Sequence, residues 1–444
     1  MLAGSWCKTS DQLVGVHPIP PSRRGQGLKE LGAMKVPGIG AATLAVVVAG
    51  GLLTGCSSSD KSAGTKSTGA DGDISVGAIG DFSGPFASSQ GGITKVLAAW
   101  TSTVNAAGGL NGHKVKVIAK DAGTTTGANL TAAKQLIGQE HVVAIVDTDS
   151  SDAAWLPYAN AQKVPVVLGY PSIAGVADAN AFPITPSPFA IGYGYMATAK
   201  TYGTNAGFAY CAENCAQEAA LFQALSKPAG VSLQVSLKVS STAPDYTGVC
   251  QAFKDKHVGS YVLGVGGATV TRITDTCYQQ GLRAPQIVSG FNSDPTWKAD
   301  KAFDNSVAVD GVAPFFNSNT PGQKAYRAAL SKYVPGVAGK SSDNSWSAFA
   351  WASAQLVAAA AKATTGSITA SSITAGFYAL KDETLGGMVQ PLNYTKGKPT
   401  DLTCYYIWKI SGGKLVSGSD GDKPTCVSPA ILAPIIAAVG KAGQ

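Results

Sequence analysis

Charge is what this sequence has least of. Asp, Glu, Lys and Arg make up only 14% of its 444 residues, against roughly 25% in an ordinary soluble protein. The formal +7 carries little meaning, because Lys8, Arg23, Arg24, Lys29 and Lys35 all precede Cys56. From Cys56 onward 29 basic residues face 25 acidic ones, a net +4. No arginine cluster or basic stripe remains, so binding to a phosphate backbone has no electrostatic basis. Catalytic signatures are missing as well: the chain has no GxSxG, HExxH or GxxxxGK[ST] segment. Only four histidines exist, and His113, His141 and His257 stand just before strands, the wrong end of an α/β sheet for a general base. The chain is therefore expected to be no enzyme and to carry no cofactor. What it does have is 45% hydrophobic residues and 53 glycines, enough apolar material for a sizeable core and too much for disorder.

Cysteine usage and the first 72 residues speak to the compartment. From Val36 to Ser59 no residue is charged, and a short apolar stretch after Lys35 ends in Leu53-Thr54-Gly55-Cys56. A positive flank, a brief greasy segment and small residues before a cleavage point describe a secretory signal. The stretch is short for spanning a bilayer. The tetrad resembles the lipobox of bacterial lipoproteins, which implies lipidation of Cys56 and anchoring at the outer face of the cell membrane. Met34-Lys35 would open a signal of ordinary proportions, so translation is expected to start there. The Ser, Gly, Thr and Lys run that follows reads as a flexible tether to about residue 72. Six cysteines remain, with no CxxC and only His257 near any of them, which favours disulfides over a metal site. Many connectivities are open; the sequential one, Cys211–Cys215, Cys250–Cys277 and Cys404–Cys426, closes only short loops.

Hydrophobic periodicity shows one plan used twice. Apolar runs at Ile74–Gly80, His113–Ala119, Val142–Asp147 and Val164–Leu168 alternate with helical stretches, the pattern of βαβ units around a parallel sheet. The order begins again at Ala206–Tyr210, Val231–Val239, Tyr261–Gly264 and Gln286–Ser289. Pro183, Pro186 and Pro188 mark the first passage between two α/β lobes. The last 130 or so residues hold elements too few and too mixed for a third core, so they are expected to return and complete both lobes. The acidic run Asp147-Thr148-Asp149-Ser150-Ser151-Asp152 lacks the glycine and the terminal glutamate of a calcium loop; no metal is expected there.

Several ordered segments carry a family resemblance. ISVGAIGDFSGP (residues 74–85), NAAGGLNG (105–112), VPVV (164–167) and QGL (280–282) together resemble type I periplasmic binding proteins, the leucine/isoleucine/valine-binding group of ABC transporters. The resemblance implies two Rossmann-like lobes joined by a three-strand hinge, a Venus-flytrap that closes on a small solute. It also implies delivery to an ABC permease and its ATPase by a monomeric receptor. Lobe one would comprise 73–190 and about 316–387, lobe two 191–315 and about 388–427, with 428–444 a docked tail. Ligands of open α/β sheets sit beyond the carboxyl ends of strands. The expected ligand contacts are therefore Ser89, Asp149, Ser150, Tyr170 and Ser172 from lobe one, and Glu213, Asn214 and Phe291 from lobe two. Trp346 is a further candidate. Ser172 falls where amino-acid binders of the family place a carboxylate-binding Thr, but Asp149 falls at their Ser and no acid occupies their ammonium site near Phe291. Amino-acid binding is therefore not expected in its usual form. A sensing or envelope-binding module on the same fold is the alternative.

Overall fold

The computed structural model describes residues 72–83, 87–123, 126–149, 151–212 and 216–442. The signal segment, Cys56 and the tether fall outside them, as do Ser150, Glu213, Asn214 and Cys215. Lobe one is built on five strands: β1 (Ile74–Gly80), β2 (Val115–Asp121), β3 (Ile145–Thr148), β4 (Val166–Leu168) and β5 (Ala181–Pro183). They run in the order β2-β1-β3-β4-β5, every pair parallel. Strands buried on both faces read as unbroken apolar runs, and β3 and β4 are buried at every position. The helix Ile93–Ala106 buries Ile93, Val96, Leu97 and Trp100, the spacing of one helical face.

Lobe two carries β6 (Asn205–Cys211), β7 (Ser232–Val239), β8 (Ser260–Gly264), β9 (Gln286–Ser289), β10 (Val307–Asp310), β11 (Cys404–Ser411), β12 (Lys414–Ser417) and β13 (Thr425–Cys426). Their order is β12-β11-β10-β9-β8-β6-β7, with β13 beside β11. The pairs from β7 to β10 are parallel, whereas β11 pairs antiparallel with β10, β12 and β13. The sheet is thus parallel at its centre with an antiparallel edge supplied by the final hairpin. The last third of the chain does return to both lobes. Its helices Pro321–Tyr333 and Ser345–Lys362 pack on the helix Ile93–Ala106, and Ser345–Lys362 also packs on β3 and β4. That helix is Ala-rich because it is buried on nearly all sides. A neighbouring helix, Ala370–Ala379, comes so close that a Cβ on Gly376 would strike the Ala360 carbonyl. The closing helix, Pro429–Ala442, packs on lobe two with Leu432 and Ile435 buried.

The chain crosses between the lobes after β5, after β10 and after the helix Ala370–Ala379. These crossings are irregular linkers that bond to one another rather than forming strands. Ala313 N donates to Met388 O at 2.8 Å and Ser187 N to Leu402 O at 2.9 Å. Tyr394 Oη donates to Pro183 O at 2.8 Å and Gln390 Nε2 to Cys404 O at 3.2 Å. The internal echo is visible in the backbone too: His141 and His257, each just before the third strand of its lobe, take φ of 51° and 47°.

Disulfides join Cys250 to Cys277, across two neighbouring helices, and Cys404 to Cys426, across β11 and β13. Cys211 is also disulfide-bonded. The first pair closes a loop of 27 residues, for which chain entropy gives about 3.5 kcal/mol. Replacing both Cys250 and Cys277 by Ser should lower unfolding stability by an amount of that order in a denaturant titration.

Candidate functional site

The two sheets bring their carboxyl ends to a shared cleft, and three distant parts of the chain meet there. Tyr170 stands two residues beyond β4. Phe291 stands two residues beyond β9, in a tight turn (Gly290–Asn292) fixed by Ser289 Oγ accepting from Phe291 N at 3.2 Å. Trp346 opens the helix Ser345–Lys362, whose start is capped by Asn344 Oδ1 accepting from Ser347 N at 3.1 Å. Their rings touch across the cleft. Tyr170 lies edge-on to Phe291 with centroids 4.4 Å apart, and Trp346 sits 5.6 Å from each. Phe349, one turn along from Trp346, backs Phe291 at 4.7 Å. Phe291 and Trp346 are only 4% and 5% exposed, and the Trp346 indole N–H has no hydrogen-bond partner among the described residues. Gly267 permits the turn to nest against lobe two, since a Cβ there would come within 2.6 Å of Asn292 O.

The floor of the lobe-one side is acidic. Asp81 follows β1, Asp147 lies in β3, and Asp149 and Asp152 follow it; all four are at most 2% exposed. No Lys or Arg pairs with them: the ion pairs among the described residues are Lys120–Glu140 and Arg327–Asp343. Burial, with the charges of Asp149 and Asp121 beyond it, pushes the Asp81 carboxyl up to about 7. Burial likewise raises Asp149 to about 6 and holds Asp147 well above the usual carboxylate range. A third kind of contact joins the lobes at the base of the cleft. Asp310, fully buried at the end of β10, accepts from Trp408 Nε1 at 2.9 Å, from Gly311 N at 2.8 Å and from the Ser345 hydroxyl. Burial lifts it to about 6.

Of the expected ligand contacts, the structure brings Tyr170 and Phe291 together and ties Ser89 to the cap of the helix that carries Trp346. The Ser89 carbonyl accepts from Asn344 Nδ2 at 2.9 Å. Two others are turned to structural work. Asp149 is wholly buried inside lobe one, accepting from Asn129 Nδ2 at 2.8 Å, Trp155 Nε1 at 3.0 Å and the Ser151 amide. Ser172 caps the short helix Ile173–Ala177, accepting from Gly175 N at 3.0 Å, while its amide donates to Asp152 Oδ2 at 2.9 Å. Ser150, Glu213 and Asn214 lie outside the described residues. Phe349 and Asp310 were not singled out from the sequence as ligand contacts, whereas Asp81, directly after β1, belongs to the residues that a strand end brings toward the site. Asp81 was visible as a residue following a strand, but nothing in the sequence says which acids lack a partner.

The model of a family described as periplasmic binding protein matches residues 73–414. The chain belongs to that family. No curated protein sequence matches the chain. Among solved structures it is similar to a fatty acid ABC transporter substrate-binding protein from Thermomonospora curvata, at 17% identity and a TM-score of 0.66, over 81% of this chain and 94% of that one. A solute-binding protein of an R. palustris ABC transporter, in complex with 4-hydroxybenzoate, shares 18% identity and a TM-score of 0.65 over 80% and 98% of the two chains. The branched-chain amino acid transporter substrate binding protein LivJ of Streptococcus pneumoniae, in complex with isoleucine, gives 18% and 0.65 over 80% and 100%. These likenesses extend the shared fold over most of both chains, and membership of the periplasmic binding protein family places the protein outside the cytoplasm.

The buried acids make a pH signature. Their pKa values are higher in the folded chain than near 4 in the unfolded one, so the native state holds more protons between those values. Stability should therefore fall as pH rises from about 4 through about 7, the range set by Asp81, Asp149 and Asp310. Melting curves across that range should show the slope, and Asp147→Asn, which removes one of the ionising groups, should flatten it.

Proposed function

We propose that the protein captures one small amphipathic solute between its lobes and passes it to the permease of an ABC importer driven by a cytoplasmic ATPase. The observation that carries this reading is the ring cluster of Tyr170, Phe291 and Trp346, assembled at facing strand ends of two lobes. Cleft aromatics supply apolar contact, and a few polar groups orient the ligand. An indole N–H buried without an acceptor is a donor waiting for one. Separation of the lobes breaks the Tyr170–Phe291 contact, so a solute seated there links its own binding to closure. The solutes named for the similar structures are compatible with such a site: each pairs an apolar body with a polar end. Ser89, Ser150, Glu213 and Asn214 belong to the proposed rim, whereas Asp149 and Ser172 hold the loops that carry Tyr170.

Export and anchoring complete the reading. The Leu53-Thr54-Gly55-Cys56 tetrad supports a lipid on Cys56 that keeps the protein at the outer face of the cell membrane. Among the described residues no helix is long and apolar enough to cross a membrane, so attachment would rest on acyl chains. The protein would act as a monomer, one solute to each chain.

Native mass spectrometry of the protein purified from its own host should find a bound small molecule in a one-to-one complex. Loss of a buried aromatic contact should weaken its rebinding at least about tenfold in Phe291→Ala. Unchanged affinity in that variant would move the site elsewhere. Cys56→Ser should shift the protein from the membrane fraction to the soluble fraction.

A further inference from the structure

Asp81 carries a carboxyl oxygen that no described residue satisfies, directly at the carboxyl end of a lobe-one strand. It is 2% exposed, its Oδ1 accepts no hydrogen bond from any described residue, and it stands directly beyond β1. The charged groups that act on it are Asp149 and Asp121, both acids, and no cation offsets them. Its surroundings tie it to the aromatic cluster. The Asp81 amide donates to Gln90 Oε1 at 3.1 Å, and the adjoining Ser89 carbonyl holds Asn344, the residue that caps the helix of Trp346. These bonds link the backbone of Asp81, through Gln90 and Ser89, to the cap of the helix that carries Trp346.

We propose that Asp81 is a specificity-determining residue that receives the ammonium group of an amphipathic organic amine, the body of the amine lying against Tyr170, Phe291 and Trp346. The proposal rests on the interlobe binding reading above. An ammonium supplies what the buried carboxyl lacks, namely opposite charge and N–H donors in one group. The neighbouring ring faces attract the same charge through their quadrupoles. A metal ion does not fit as well, because no group of three acidic, His or Cys side chains among the described residues is arranged to hold one. Without a ligand, burial and the neighbouring acids favour a proton on Asp81, whose pKa stands at about 7. Binding of an amine would replace that proton.

Phenethylamine, 2-phenylethanol and benzoate form a matched set of probes, with similar rings and a cationic, neutral or anionic end. Calorimetric titration of the full exported chain should show binding of phenethylamine ahead of the other two. Asp81→Asn is nearly isosteric and copies the protonated side chain, so its melting curve should stay cooperative. It should weaken phenethylamine about tenfold to a hundredfold and leave 2-phenylethanol unchanged. In the wild type, affinity for the amine should rise between about pH 6 and about pH 8 as Asp81 loses its proton, and the variant should lose that rise. Equal affinity in Asp81→Asn, preference for benzoate, or no binding of any probe overturns the proposal. Phe291→Ala separates the two failures. If benzoate or 2-phenylethanol binds and depends on Phe291, interlobe binding stands and only the amine falls. If phenethylamine binds regardless of Phe291, the interlobe site itself is wrong.

Discussion

The carboxylate of Asp310 is cut off from water, and donors from three regions of the chain converge on it. The amides of Gly311 and Val312 just beyond β10, the indole of Trp408 in β11 and the hydroxyl of Ser345 at the head of a lobe-one helix all meet there. A buried carboxylate is tolerable only when its oxygens are satisfied, so each of these partners is held in place by the cost of losing it. That fixes the start of the helix Ser345–Lys362 against the end of β10. Trp346 then has only one place to be. The crossing linkers have little regular structure of their own, and their positions follow from this anchor and from the bonds they make to one another.

The cleft combines two opposed surfaces. One is a set of rings from both lobes, which gain by excluding water. The other is a lobe-one floor of acids that suffer from the same exclusion. Apolar walls lower the local dielectric and raise the cost of each unpaired charge nearby, so the aromatic cluster sharpens whatever electrostatic preference the floor imposes. In a chain with so few charges, four carboxyl groups gathered at one sheet edge are a concentration of acidity.

The α/β architecture was legible because it is written in periodicity. Apolar runs and amphipathic stretches alternate over the first two-thirds, and His141 and His257, each just before the third strand of its lobe, share the same backbone bend. The end of β10 is set by a side chain rather than by periodicity: the sheet gives way after Asp310, whose carboxylate takes the next amides for itself. At the site, the meeting of Tyr170 and Phe291 was foreshadowed by their positions, each two residues beyond the carboxyl end of a strand. Asp149 and Ser172 could not be assigned in the same way. Short polar side chains after a strand serve equally well as ligand contacts or as caps, and only the positions of Asn129, Trp155 and Gly175 decide between the two. Trp346 sits far along the chain from the loops it joins, and spacing alone cannot reveal that kind of proximity.

The return of the last third of the chain to both lobes bears on how the molecule comes into being. Lobe one needs the helix Ser345–Lys362 to cover β3 and β4, and lobe two needs β11 beside β10. Neither core can close while the chain is still short, however early its first strands are made. Contacts so distant in sequence make for slow folding. For a chain bound for export, that delay is an advantage: a polypeptide that cannot finish either half before its end has been synthesised stays unfolded long enough to be threaded through a membrane. The architecture that lets the two halves grip a solute together is also the one that keeps them from maturing apart.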